Sequence, residues 1–129
     1  VILGLRTDSN LTQMALVGND EKAHSVEWES GRELADQLLT KITELLNQHG
    51  YAWSDLKGLI VFTGPGSFTG LRIGATVANT IAFTKNIPIV GTNGDDWFNQ
   101  GQQRLKANQN DVQVIPEYGR EPNITKPKR

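Results

Sequence analysis

The sequence predicts an α/β fold: one lobe built on a five-stranded mixed sheet, in the order βββ-α-β-α-β-α, with helices on its faces. Three observations predict it. Short runs with strand patterning fill residues 1–28. Two further apolar runs, GLIVFT at 58–63 and IPIVGT at 87–92, stand apart from them. Between and after these runs lie stretches with helical period or helix-end chemistry. A meander of three strands pairs antiparallel, whereas strands joined through helices pair in parallel by right-handed crossovers.

Taken in order, VILGLRT at 1–7 reads as a first strand in which Arg6 interrupts an apolar run. Asp8-Ser9-Asn10 is a turn signal, LTQMALV at 11–17 a second strand, and Gly18-Asn19-Asp20 a hairpin turn. Residues 21–28 alternate, with His24, Val26 and Trp28 on one face and Ala23, Ser25 and Glu27 on the other. That pattern is a half-buried edge strand. A helix follows. Ser30 and Glu33 have capping-box spacing. Leu34, Leu38, Ile42 and Leu45 form a stripe at helical period. Leu39 and Leu46 widen that stripe, and Gly50 stands at the C′ position after His49. The widened face reads either as a well-covered core helix or as a surface that meets another protein.

Residues 58–63 and 87–92 read as central buried strands. A second helix is expected from about Gly70 to Lys85. DDWFNQGQQRLKAN at 95–108 starts with acids and ends with bases, as a final helix should, although Gly101 weakens it. Trp28, Trp53 and Trp97 lie on three elements and are expected to anchor the core. The lobe is assigned to residues 1–108, and 109–129 to an extended basic C-terminal tail punctuated by Pro116, Pro122 and Pro127.

A length of 129 residues fits one domain, and 37% hydrophobic with 21% charged residues is ordinary globular composition. The formal net charge of −1 does not make the whole chain a polyanion binder. The last ten residues set Arg120, Lys126, Lys128 and Arg129 against Glu121, which reads as a solvated terminus or as a short-range phosphate sensor. No run is long and apolar enough to span a membrane. No signal-peptide pattern opens the chain, so little or nothing is expected to precede the fold. Cysteine is absent, which excludes disulfides, thiolate metal sites and a cysteine nucleophile, and fits a reducing compartment. His24 and His49 are far apart in sequence and lack metal-ligand spacing. They read as an edge-strand residue and a helix-end cation.

The most informative local feature is the strand–GPGSFTG–helix junction, formed by Gly64, Pro65, Gly66, Ser67, Phe68 and Gly70. Gly64 precedes proline and so favours extended backbone. Gly66 is free to take a positive φ. Ser67 or Thr69 is placed to cap the next helix. Gly70, Gly74 and Ala78 recur every four residues and form a ridge for close packing. Such loops often cradle phosphate at a helix N-terminus. Here, however, the P-loop lysine is missing and the dinucleotide glycine spacing is not met. A structural turn and a nucleotide site both remain open on these residues.

The full string GPGSFTGLRIG, at 64–74, resembles the signature of the TsaB (YeaZ) family, related to the M22 glycoprotease-like proteins of the actin/Hsp70 superfamily. VILGLRTDS is similar to that family's opening ILAIDTS. GRELADQLLTKITELL resembles its first helix, IPIVGTNGDDWFNQ the segment after its second helix, and IPEYGREPNITKPKR its C-terminal tail. The predicted topology is that of one actin/Hsp70-like lobe, a layout that ribonuclease H-like domains share. Two departures stand out. The family's Asp in IDTS falls on Arg6 and its Ser on Asp8. The family normally has two lobes, and this chain passes from the end of the first almost directly to the tail. Both departures argue against ATP hydrolysis by this chain, because a cation replaces an acid that serves Mg-phosphate chemistry and one lobe cannot enclose a nucleotide.

The resemblance implies a cytoplasmic, non-catalytic subunit of the machinery that makes threonylcarbamoyladenosine next to the tRNA anticodon. It would bind and support a TsaD-type transferase, with a TsaE-type ATPase joining the complex. It would meet tRNA only indirectly and no membrane. No cofactor is expected on this chain alone; ATP with Mg and a metal belong to the implied partners. The implied partner-binding residues are Ala35, Leu39, Thr43 and Leu46 on the first helix and Thr69, Arg72, Ile73, Thr76 and Thr80 on the second. Against this, Leu39, Leu46 and Ile73 also suit a core. The same faces could support a homodimer. A different class of function is a nucleotide-binding half-site enzyme, built from Thr7, Asp8 and the glycine loop and completed by a partner chain. Direct tRNA binding by residues 120–129 is a third. A protease reading finds neither Ser/His/Asp spacing nor a histidine pair.

Overall fold

The computed structural model describes residues 1–117, so the basic cluster at 120–129 lies outside the described residues. Strands β1 (Ile2–Arg6), β2 (Leu11–Val17) and β3 (Ala23–Glu29) form the meander. Helix α1 (Leu34–Gln48), β4 (Gly58–Phe62), α2 (Phe68–Lys85), β5 (Ile89–Thr92) and α3 (Trp97–Lys106) follow. The sheet order is β3-β2-β1-β4-β5. β1 pairs antiparallel with β2 and parallel with β4, β2 pairs antiparallel with β3, and β5 pairs parallel with β4. The predicted fold class is therefore the observed one, and β3 is the predicted edge.

Alternation along each strand separates two cores. Leu3 and Leu5 of β1, Met14 and Leu16 of β2, and Leu59 and Val61 of β4 face α1 and α2. Leu34, Leu38, Ile42 and Leu45 of α1 meet them, with Ala78, Ile81 and Ala82 of α2. On the other face Ile60, Phe62 and Val90 pack under Trp97, Phe98 and Leu105 of α3. Gly4 makes room there: a Cβ on it would lie 2.5 Å from Phe98. Gly101, which weakens α3 by propensity, is where that helix touches β4, since a Cβ would run into Ile60. Trp97 is buried, whereas Trp28 and Trp53 pack partly buried on the larger core.

Several ends differ from expectation. The hydroxyl of Ser30 does not cap α1: it lies 2.8 Å from the Thr12 hydroxyl, and a short 3-10 turn, Gly31–Glu33, leads into the helix. Glu33 instead accepts a hydrogen bond from Gln37 at 3.1 Å. At the other end of α1, Gly50 takes the expected left-handed conformation, with φ 79°. α2 begins at Phe68, two residues earlier than predicted, because the Ser67 hydroxyl oxygen accepts from Gly70 N–H at 3.3 Å. α2 ends on Asn86 at φ 56°, an αL cap.

After α3 the chain turns back and runs along β5, so the packing of the lobe continues through residues predicted to begin a tail. Val114 is buried, and the Asn79 side chain both donates to its carbonyl (2.9 Å) and accepts from its N–H (2.8 Å). Arg104 donates to Gln109 at 2.6 Å, to the Gly91 carbonyl at 3.0 Å and to both oxygens of Asp111 at 3.0 and 2.5 Å. Those guanidinium bonds, with the Gly91 N–H, hold the Asp111 carboxyl below its usual 3.8 against burial that would raise it. A depressed acid contributes stability that is whole above its unfolded value and is lost as the pH falls through its folded value. Thermal unfolding of wild type should therefore steepen below about pH 4. Asp111→Asn should start less stable at neutral pH and show a flatter curve in that acid window.

Candidate functional site

The glycine loop and the β1–β2 turn meet at the C-terminal end of β4, where β1 also ends. Arg6 is the last residue of β1. Its guanidinium binds Asp8 through Nε–Oδ1 at 3.0 Å and Nη2–Oδ2 at 3.2 Å, and lies 4.0 Å from the centre of the Phe62 ring. The pair is largely shielded, with side-chain exposures of 26% and 17%. A fork-to-carboxylate bond over an aromatic face is a low-entropy arrangement for arginine. The protein's own cation at this end of the sheet is thus neutralised by the protein's own acid.

The glycines of the loop serve the same turn. Thr7 is buried and donates its hydroxyl to the Gly70 carbonyl at 2.7 Å, and Ser67 N–H donates to the Asp8 carbonyl at 2.8 Å. A Cβ on Gly66 would run into Asp8, on Gly70 into the Thr7 carbonyl, and on Gly74 into the Thr7 hydroxyl. The small-residue ridge of α2 therefore receives the β1–β2 turn. Positive φ falls on Gly64, at 121°, and not on Gly66 as predicted. A Cβ on Gly64 would also collide with the Glu117 carbonyl and touch Leu71 at 3.0 Å, so the position has no room for a side chain. Pro65, Gly66, Ser67 and Phe68 are exposed.

A crevice of about 390 Å³ opens beside this junction, lined by Ser9, Asn10, Ser30, Arg32, Thr69 and Ile73 among others. It runs into the groove between α1 and α2, which pack on each other. Ser9, Asn10 and Arg32 were not among the predicted residues. Their only sequence signals are a turn and a helix start.

The two helices present the nominated face unevenly. Ala35 is exposed and Leu39 is 52% exposed, a large apolar side chain left open. Thr43 is half-buried: its hydroxyl donates to the Leu39 carbonyl (3.0 Å) and accepts from Trp53 Nε1 (3.1 Å). Leu46 is 1% exposed and belongs to the larger core, so its placement on the partner face is corrected. The chain beyond α1 folds back at this level, Tyr51 N–H reaching the Leu46 carbonyl at 2.9 Å. On α2, Thr69, Arg72, Thr76 and Thr80 are exposed, while Ile73 is half-buried against the core. The Thr80 hydroxyl donates to the Thr76 carbonyl at 2.8 Å, and the Arg72 guanidinium lies 5.9 Å from the Phe68 ring centre.

His24 and His49, distant in sequence, are brought together: their rings stack at 4.1 Å, and Asp20 lies 3.4 Å from His24 Nε2. Among the described residues no group of three or more His, Asp or Glu side chains could hold a metal ion. Among them, too, no helix is long and apolar enough to cross a membrane.

Comparison with known proteins follows the same lines. Residues 28–101, more than half of the chain, match the family described as TsaD: tRNA N6-adenosine threonylcarbamoyltransferase. The tRNA threonylcarbamoyladenosine biosynthesis protein TsaB of Haemophilus influenzae is 31% identical over 88% of this chain and 48% of its own length. TsaB of Escherichia coli is 33% identical over 57% of this chain and 32% of its own length. The chain thus spans less than half the length of these relatives. Among solved structures, YeaZ from Pseudomonas aeruginosa superposes with a TM-score of 0.65 at 29% identity, over 71% of this chain and 44% of that one. A second Pseudomonas aeruginosa structure, an uncharacterized protein with similarity to peptidase YEAZ, gives a TM-score of 0.68 at 30% identity, over 71% of this chain and 42% of that one. The strand order, the glycine-loop junction and these matches agree: the chain belongs to the TsaD-type threonylcarbamoyltransferase family, as an actin-like lobe of its TsaB (YeaZ) kind.

Proposed function

We propose that this chain acts in tRNA threonylcarbamoyladenosine synthesis as a non-catalytic partner, binding a TsaD-type transferase through the groove between α1 and α2. The observation that carries the reading is the neutralised pair at the end of β1: Arg6 is bound by Asp8 over the Phe62 ring, and the clearance of the loop glycines is used by Thr7 and Asp8. What stays open is the crevice of about 390 Å³, together with the exposed side chains of Ala35, Leu39, Thr69, Arg72 and Thr76. An exposed leucine among threonines, beside a crevice lined by Ser9, Asn10, Arg32, Leu34 and Ile73, suits a mixed protein contact with an apolar centre and a polar rim.

The test is reconstituted modification of tRNA by the transferase and the ATPase subunit, with and without this chain. The expected result is modification that requires the chain and titrates with it. Equal modification without it would overturn the reading. The alternative, a nucleotide half-site, is favoured only by the Ser9, Asn10, Arg32 and Ser67 side chains in the lining of the crevice. Calorimetric titration with Mg-ATP is expected to give no binding heat for the chain, alone or with the transferase present. Saturable heat lost in Thr7→Val would favour the half-site instead.

A further inference from the structure

β5 lies at an edge of the sheet, and Ile89 and Gly91 turn their N–H and C=O groups away from β4. A sixth strand would bond to those four groups. In this molecule they are already taken, mostly by side chains. Asn110 Oδ1 accepts from Ile89 N–H at 3.1 Å, and Asp111 Oδ2 accepts from Gly91 N–H at 2.8 Å. Arg104 donates to the Gly91 carbonyl at 3.0 Å, and only the Ile89 carbonyl receives a backbone bond, from Asp111 N–H at 2.8 Å. The opposite edge, β3, carries Glu27 and Glu29, charges that discourage strand addition. β5, with the sequence IVGT, carries none.

We infer that residues 109–117 are an edge guard, locked by Arg104 on Asp111, and that releasing the lock turns β5 into a strand-addition site for the β5 edge of a second copy. Isologous pairing is the simplest outcome, because the same four groups on each copy complement one another across a two-fold axis. The lock is one side chain deep. Arg104 joins α3, β5 and the returning segment, and the carboxylate it holds is the one that satisfies Gly91. Asn79 on Val114 pins the segment further along, so release begins at residues 109–111.

Amide hydrogen exchange by NMR and sedimentation velocity on Arg104→Ala test the inference. At concentrations low enough to keep the variant monomeric, Ile89 and Gly91 amides should exchange at least about tenfold faster than in wild type. Leu59 and Thr63 amides, which donate to the Pro88 and Thr92 carbonyls, should keep their protection. The variant should also form a larger species, beyond any seen for wild type, as concentration rises. Unchanged exchange at Ile89 and Gly91 would overturn the lock. Faster exchange without added association would overturn the guard. If Arg104→Ala fails to fold, Asp111→Asn replaces it, with the same readouts and the same two overturning results. It keeps an oxygen near Gly91 and loses the charge that Arg104 grips.

Discussion

Gly74→Val is expected to destabilise the protein by about 3–5 kcal/mol, from overpacking and a lost buried hydrogen bond together. Gly74 lies on α2 against Thr7. A Cβ there would collide with the Thr7 hydroxyl and approach its Cγ2 and Cβ at 3.1 and 3.2 Å. Thr7 cannot rotate away without giving up the Gly70 carbonyl at 2.7 Å. The direction is informative, because removing a glycine from an unencumbered helix normally stabilises it by up to about 1 kcal/mol. Urea unfolding reads the change, with Gly50→Ala as a comparison. Nothing lies within 4 Å of a Cβ on Gly50, so that variant bears only the strain of φ 79°. A Gly74→Val protein as stable as wild type would mean that α2 does not bear on the β1–β2 turn in this way.

Leu39→Asp combined with Thr76→Arg should weaken binding to the transferase by about 100-fold, roughly 2.7 kcal/mol, with little change in thermal stability. Leu39 is 52% exposed and Thr76 is exposed, so neither substitution opens the core. A carboxylate at the apolar centre of an interface would be desolvated without a partner. Leu46→Ala separates the two effects. Leu46 is 1% exposed, so its truncation should lower stability by about 2–3 kcal/mol while folded protein still binds. Biolayer or calorimetric titration, beside thermal melts, reads both. Undiminished binding by the double variant would remove the face from the account.

The sheet was legible because its signals are local. Alternation at 21–28 gave the edge strand found at Ala23–Glu29, and continuous apolar runs at 58–63 and 87–92 gave the two parallel strands found at Gly58–Phe62 and Ile89–Thr92. What the residues alone left open depended on contacts between distant segments. Leu39 and Leu46 are seven residues apart and share a helix face, so periodicity could not separate them; the fold-back at Tyr51 does. Ser30 has the spacing of a cap, yet its hydroxyl goes to Thr12, eighteen residues away. The glycine loop read equally as phosphate cradle or turn, because the groups that settle its packing, Thr7 and Asp8, lie on another strand end. The stacking of His24 on His49 and the return of residues 109–117 along β5 had no local pattern to announce them.

The claim at the centre of the account is that the α1–α2 groove, and not the Arg6–Asp8 end of the sheet, is where this chain works. Hydrogen-exchange mass spectrometry of the chain with and without the transferase tests it most directly. The account predicts added protection across segments holding Ala35–Leu39 and Thr69–Thr80, with the segment holding Arg6–Asp8 unchanged. Protection confined to Arg6–Asp8 and Gly64–Gly66, with both helices unaltered, would contradict it.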